Sequence, residues 1–412
     1  MKDVVIVVIL SFCALMALKN PLYGLYGWFL VSFMNIHRLG WGLAISLQPG
    51  LAMAATTGIG IFLHPKNQFK WTRESQLVFL FWAFTLVTTI FSINQNLAWP
   101  KWVEFSKSVL FFFITIYLID NFKDLRRIII LTTFCIAFYG LKGGLFSLVT
   151  GGQYRVFGPP NSFIADNNEL ALALNMTLPL IYWITIEASS SRKRLLWICL
   201  FILTTIGIIF TFSRGGFLTL ILVGLLILRI SNKRVLMFGL IALVFLIGSY
   251  YIGENWIARM ETIPNFEQEN SALDRLVAWK VALRFALDHI LLGGGFNVMG
   301  PEVYALYGVE SKIVSHSIYF GTLVEHGFIG LGIYLLIFAS TITNMRRLKK
   351  TIIDKKIIDL LSAIIISLIA FLFGGLFYER QYFDYAFYFI SLSAVIKLIV
   401  NQDRMSLSVR SI

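Results

Sequence analysis

Apolar runs of about bilayer length recur along almost the whole chain, and nothing constrains its fold more. They cover approximately 50–63, 75–93, 103–119, 126–148, 165–187, 194–211, 214–231, 234–252, 315–342, 355–376 and 384–400. A helix needs about 20 apolar residues to cross the hydrocarbon core. A membrane-spanning β-barrel would instead alternate apolar and polar residues, and these runs do not. The chain is 58% hydrophobic and 14% charged, with mean hydropathy +0.77, against roughly a quarter charged in soluble domains. These features predict an all-α polytopic membrane protein.

The net charge of +13 does not point to nucleic acid, because the basic residues cluster between apolar runs. The richest clusters are 64–73, 121–127, 191–194, 229–234 and 345–356. Each is separated from the next by two crossings, so the positive-inside rule places all five in the cytoplasm. The first 34 residues hold two short runs, 4–17 and 22–34, divided by Lys19-Asn20-Pro21. Proline kinks or ends helices. Read as one broken, retained crossing they give about twelve transmembrane helices; read as two they give about thirteen. Twelve is the favoured count. The remaining division is an N-terminal helical part, 1–252, an external loop subdomain, 253–313, and a C-terminal helical part with a cytoplasmic tail, 314–412. A loop of that length is uncommon unless functional. Cys13, Cys135 and Cys199 all lie in apolar runs and read as spare buried thiols.

The polar residues that interrupt this pattern gather on the external side. HSIYFGTLVEHGFIG, residues 316–330, opens on His316. If it is one α-helix, Gly327 and Gly330 return to within about 20° and 40° of His316. That stripe would let another backbone approach closely, with His326 about 80° away as a structural neighbour. A neutral imidazole at a helix start can act as a general base, although a lone histidine there is more often an interfacial polar residue. TFSRGGF, 211–217, carries Arg214 after Ser213 and before Gly215-Gly216. A guanidinium beside open helix-start amides suits a phosphate; the alternative is a turn with a snorkelling arginine.

In the external loop, 271–290 has helical periodicity. Asp274, Lys280, Arg284 and Asp288 share one arc, and Arg275 falls among Leu276, Trp279 and Ala286 on the apolar side. A charge there should have an anionic partner, such as Asp274 or Glu269. Gly293-Gly294-Gly295 permits a tight turn. Arg155, in the external loop 149–163, is a further cation or a solvated loop charge. Asp166, with Glu169 three residues on, has capping-box spacing, so Asp166, Asn167 and Asn168 read as caps first. The chain has no HExxH motif, no paired CxxC and no acidic metal cluster, so metal-independent chemistry with no cofactor is expected.

The spacing His316-Ser317, nine residues, Gly327, two residues, Gly330 resembles the O-antigen ligase family, which includes O-antigen polymerases and some bacterial protein O-oligosaccharyltransferases. Ser213-Arg214-Gly215-Gly216, Asp166 and Asn168, and Asp274-Arg275 through Trp279 to Gly293-Gly294-Gly295-Phe296 match as well. NIHRLGWGLA, 35–44, looks similar to a ligase-like branch associated with exosortase systems. The resemblance implies a GT-C-type glycosyltransferase of the bacterial inner membrane with one large periplasmic loop. It would transfer a glycan with inversion from undecaprenyl pyrophosphate to a periplasmic acceptor, most directly lipid A–core. His316 would deprotonate or orient the acceptor hydroxyl, and Arg214 and Arg275, with Arg155 as a third, would hold the pyrophosphate. Ser317 stands where Asn is commoner, and the proline often found before the loop glycines is absent at His289-Ile290. The alternatives are a polymerase or protein O-oligosaccharyltransferase with the same chemistry, and a lipid-glycan transporter, which would carry polar residues through the midplane.

Overall fold

The computed structural model describes residues 2–40, 42–66, 68–231, 270–309 and 316–410, with isolated positions between 239 and 260. The expected crossing 234–252 and parts of the loop 253–313 lie outside the described residues. Among those residues every regular element is helical. Among the described residues five helices are long and apolar enough to cross a bilayer: α7 (Phe122–Val149), α8 (Asn167–Glu187), α13 (Ile318–Lys349), α14 (Lys355–Gly374) and residues Asp384–Gln402 of α15 (Asp384–Arg410). Others follow the expected runs closely: α4 (Pro49–Leu63), α5 (Arg73–Ile90), α6 (Gln95–Leu118), α9 (Ser191–Ile209) and α10 (Arg214–Ile230).

Local chemistry sets these boundaries. Thr72 and Ser75 close a capping box on α5, and the Asn121, Ser190 and Asp354 side chains accept the free amides that begin α7, α9 and α14; each cap satisfies an orphan N–H. α8 is apolar on all sides, and Leu170 through Leu174 are wholly buried. A helix with that pattern belongs inside a bundle, and α7, α9, α10 and α14 surround it.

The first 34 residues do not form one broken crossing. They are two helices, α1 (Lys2–Lys19) and α2 (Pro21–Ser32), folded back on each other. A Cβ on Gly27 would lie 2.9 Å from the Cys13 Cβ, and one on Gly24 would lie 3.0 Å from the Ala17 Cβ. In one continuous helix residues 13 and 27 would be about 21 Å apart. Asn20 caps α2 and Pro21 fills its first position, so the chain reverses where helix 1 ends. A short helix, α3 (Leu43–Ser46), follows before α4.

The basic stretches 64–73, 121–127 and 345–356 come together at one end of the bundle. Lys66 bonds Asp120 at 2.7 Å, Asn344 bonds Glu74 at 2.8 Å, and Trp183 bonds the Lys356 carbonyl at 3.2 Å. The starts of α8, α10, α13 and α15 lie at the other end, with α11 (Asn270–Asp288) and α12 (Pro301–Leu306) beside them.

Candidate functional site

A cavity of about 710 Å³ opens among these helix ends. Its walls come from the start of α8, the loop after α11, the start of α13 and the link 375–383 between α14 and α15. His316, Asp166, Asn168 and Tyr378 face it, as do Glu325, Arg380 and Gln381.

His316 is half-buried and adopts φ +45. It is not on the helix. α13 starts at Ile318 after Ser317 as N-cap, and the Ile318 amide bonds the Gly375 carbonyl at 2.8 Å. Burial, then the Arg275 charge, lower the His316 pKa below the ordinary value of 6.5, while Asp166 opposes them. The ring is therefore neutral at pH 7.

The expected stripe of His316, Gly327 and Gly330 does not exist, because α13 breaks at Gly327. There φ is +65 and ψ −171, a conformation essentially restricted to glycine. The break frees backbone groups, and the glycine turn after α11 takes them up. The Gly294 and Gly295 amides bond the Val324 and Glu325 carbonyls at 2.8 and 2.9 Å, and the Phe328 amide bonds the Ile290 carbonyl at 2.9 Å. Gly293 and Gly295 both have positive φ. The close backbone approach expected at Gly327 is thus made by the 290–295 turn. A Cβ on Gly330 would meet His326 and Phe84 instead.

Next to the break, Glu325 and His326 are buried. The Glu325 Oε1 accepts from the Asn297 amide at 2.7 Å. Its Oε2 accepts from Gln381 Nε2 at 2.9 Å and Tyr382 OH at 2.5 Å. His326 lies between Thr88 Oγ1 at 2.7 Å and Tyr382 OH at 2.5 Å, and Phe296 packs on its ring edge at 4.7 Å. His326 is a structural member, as expected. Glu325 was not among the expected site residues.

Ser213 is a junction and not part of an open anion cradle. Its hydroxyl donates to Asn168 Oδ1 at 2.8 Å, sits 2.8 Å from Tyr378 OH, and accepts from the Gly216 amide at 3.1 Å. A Cβ on Gly215 would lie 2.8 Å from Tyr378 OH and one on Gly216 2.6 Å from the Ala171 Cβ, so these glycines serve helix packing. Asp166 caps α8 through the Asn168 amide at 2.8 Å. Glu169, in the reciprocating position, is ion-paired with Arg380, whose Nε lies 2.5 Å from its carboxylate.

None of the three expected arginines is on the cavity wall. Arg275 is nearest in effect, since its charge acts on both His316 and Tyr378. Glu269, one of its expected partners, lies outside the described residues. On α11 the arc of Asp274, Lys280, Arg284 and Asp288 is exposed as expected, with Phe285 and Ala286 buried. Leu276, however, is 48% exposed, because the buried face turns toward Ala278, Val281 and Ala282. Arg214 is half-buried at the start of α10. Arg155 is exposed and lies over the Phe212 ring at 5.9 Å, beside the Ser213 turn. Arg380 is the arginine that does line the cavity, and the sequence reading missed it.

Residues 199–335 match the family model described as O-antigen ligase. Residues 1–189 match a family of unknown function, DUF5935. No curated protein matches the chain. The ligase match spans Ser213 to Gly216, Arg275 and the segment from His316 to Gly330. The exosortase-associated branch rests on residues 35–44 alone.

Proposed function

We propose that this member of the O-antigen ligase family transfers a glycan from undecaprenyl pyrophosphate to an acceptor hydroxyl on the periplasmic side of a bacterial inner membrane. The observation that carries the reading is the neutral His316, set on a cavity wall within reach of the Arg275 charge, at the bundle end opposite the basic loops. In this reading the acceptor oxygen attacks the anomeric carbon as His316 takes its proton. The bond to the diphosphate breaks on the opposite face, with inversion, and the lipid diphosphate leaves with the electron pair. Arg275 and Arg214 stabilise the charge that develops on it, with Arg155 an outer contact.

The cavity itself carries several carboxylates against Lys101 and Arg380, so it suits the acceptor, and the diphosphate belongs at its arginine-bearing margin. A lipid carrier reaches that margin from the bilayer. The site is read as metal-independent because the sequence has no HExxH motif and no paired CxxC. A GT-C-type fold of about twelve or thirteen helices and ligation to lipid A–core are the finer parts of the same reading. Polymerisation and protein O-glycosylation would use the same steps.

The test is reconstitution with a defined undecaprenyl-pyrophosphate glycan, offering lipid A–core, a second lipid-linked glycan and a protein acceptor side by side. Transfer should be lost about 10²–10⁴-fold in His316→Ala while the variant stays folded. Wild-type rates in that variant would remove the base assignment.

A further inference from the structure

The first part of α13 lies across the end of the bundle and not along it. Tyr319 OH donates to the Leu372 carbonyl near the end of α14 at 2.7 Å, and His326 meets Thr88 near the end of α5 at 2.7 Å. Leu372 and Thr88 both lie about 23–26 Å along their helices from the basic end. Residues 318–326 therefore run nearly in the plane of the cavity end, until the break at Gly327 turns the chain down. α11 runs beside them. Trp279 stacks on Phe320 at 5.3 Å, and the Ile290 carbonyl takes the Phe328 amide at 2.9 Å. α11 is thus held at the same level, where the bilayer ends.

One side of α11 is packed and the other is not. Ala278, Val281, Ala282 and Phe285 are buried against α13 and the 298–304 segment. Leu276, Leu283 and Leu287 are 48, 45 and 55% exposed, and at about 100° per residue they fall within one arc of roughly 40°. Past the helix this face continues through Ile290 to Phe328 and Ile329, exposed on the spanning part of α13. The leucine face is therefore continuous with the apolar outside of the bundle. Lys280 and Arg284, both exposed, come about 20° and 60° further round from Leu287, with Leu273 between them. Asp288 and Asp274 lie beyond. An apolar face bordered by long cations, with acids on the far side, is the pattern of a helix lying in a membrane surface. The cations' stems cover acyl chain while their heads reach the headgroups.

We propose that α11 is a lipid-binding helix, with its leucine face in the acyl layer of the leaflet at the cavity end and Lys280 and Arg284 on the phosphates of anionic glycerophospholipids. Arg275 falls on the packed side of the same helix, and its charge reaches His316. One element thus faces the lipid surface on one side and the site on the other.

The experiment uses the full chain in phosphatidylcholine nanodiscs. Cys199→Ser leaves only the two buried native thiols, and bimane is attached at Leu287→Cys or at Asp274→Cys. Doxyl-labelled lipid should quench the Leu287→Cys probe and iodide should not; for Asp274→Cys the order should reverse. With the doxyl chain on phosphatidylglycerol in place of phosphatidylcholine, half-quenching of the Leu287→Cys probe should need about fivefold less labelled lipid. Adding Lys280→Gln and Arg284→Gln should bring the two lipids together, with the melting temperature unchanged. None of these readouts requires transfer, so they stand whether or not the reading of His316 does. Iodide quenching of the Leu287→Cys probe would put that face in water. Protection from both quenchers would mean that a second copy or another segment of this chain covers it. An equal response to the two lipids with Lys280 and Arg284 in place would remove the anionic headgroup. Each of these three results would overturn the proposal.

Discussion

At the scale of single residues, the proposed transfer depends on how His316 is kept neutral. Burial dominates, and Arg275 adds to it. A lowered imidazole pKa means that the free base persists as pH falls through 6.5 and is lost only below it. The acid limb of kcat/KM should therefore lie below pH 6.5 in the wild type. Arg275→Gln removes a cation, so the limb should move up toward 6.5, and the pH–rate profile of both proteins checks this. A limb that stays in place would mean that Arg275 does not act on the base. His316, Ser213 and Asp166 were legible in the sequence because each is polar where the pattern is apolar. Glu325 was not singled out, although an acid inside an apolar run is itself a signal. Its significance depends on Asn297 and Gln381, which lie 28 and 56 residues away. Arg380 was hidden for the same reason: its partner Glu169 is 211 residues distant.

At the scale of elements, helix existence followed from apolar period and capping residues, and the described spans match the expected runs to within a few residues at most ends. α6 begins eight residues early, because its first two turns are too polar to join an apolar run. The breaks were less legible. Gly327 was read as a missing side chain on a smooth helix, whereas it is the residue at which the helix stops being one. Periodicity assumes regular φ and ψ and cannot register a glycine that departs from them. Gly327→Ala should therefore be severe. A left-handed conformation of this kind costs about 1–3 kcal/mol for a non-glycine residue, and the new methyl would sit 2.6 Å from the Leu291 carbonyl oxygen and 2.7 Å from that of Ile290. The expected result is a melting temperature lower by several degrees with transfer lost. Gly58, where an added Cβ would meet nothing within 4 Å, is the control: Gly58→Ala should be neutral. An unaltered melting temperature in Gly327→Ala would show that the break is not required. The reversal between α1 and α2 was missed for a related reason. Lys19-Asn20-Pro21 reads equally as a kink or a turn, and only the packing of Gly24 and Gly27 against Ala17 and Cys13 decides between them.

At the scale of the whole molecule, charge distribution carries the argument. Basic loops cannot be moved across a bilayer as readily as neutral ones, and the fold brings those loops to the end away from the cavity. In the proposed orientation His316 lies outside the cytoplasm, where a lipid-linked glycan and its acceptor would meet. Substituted cysteines test it directly. Cys199 is the exposed thiol, with Cys13 and Cys135 buried, so Cys199→Ser gives a quiet background. Asn161→Cys places a thiol on the exposed loop before α8, at the cavity end, and Ile353→Cys places one between α13 and α14, where the side chain is 97% exposed. In intact spheroplasts a membrane-impermeant maleimide should label Asn161→Cys and leave Ile353→Cys unlabelled until the membrane is opened. The reverse pattern would put the cavity in the cytosol, and periplasmic transfer could not then be performed by this site.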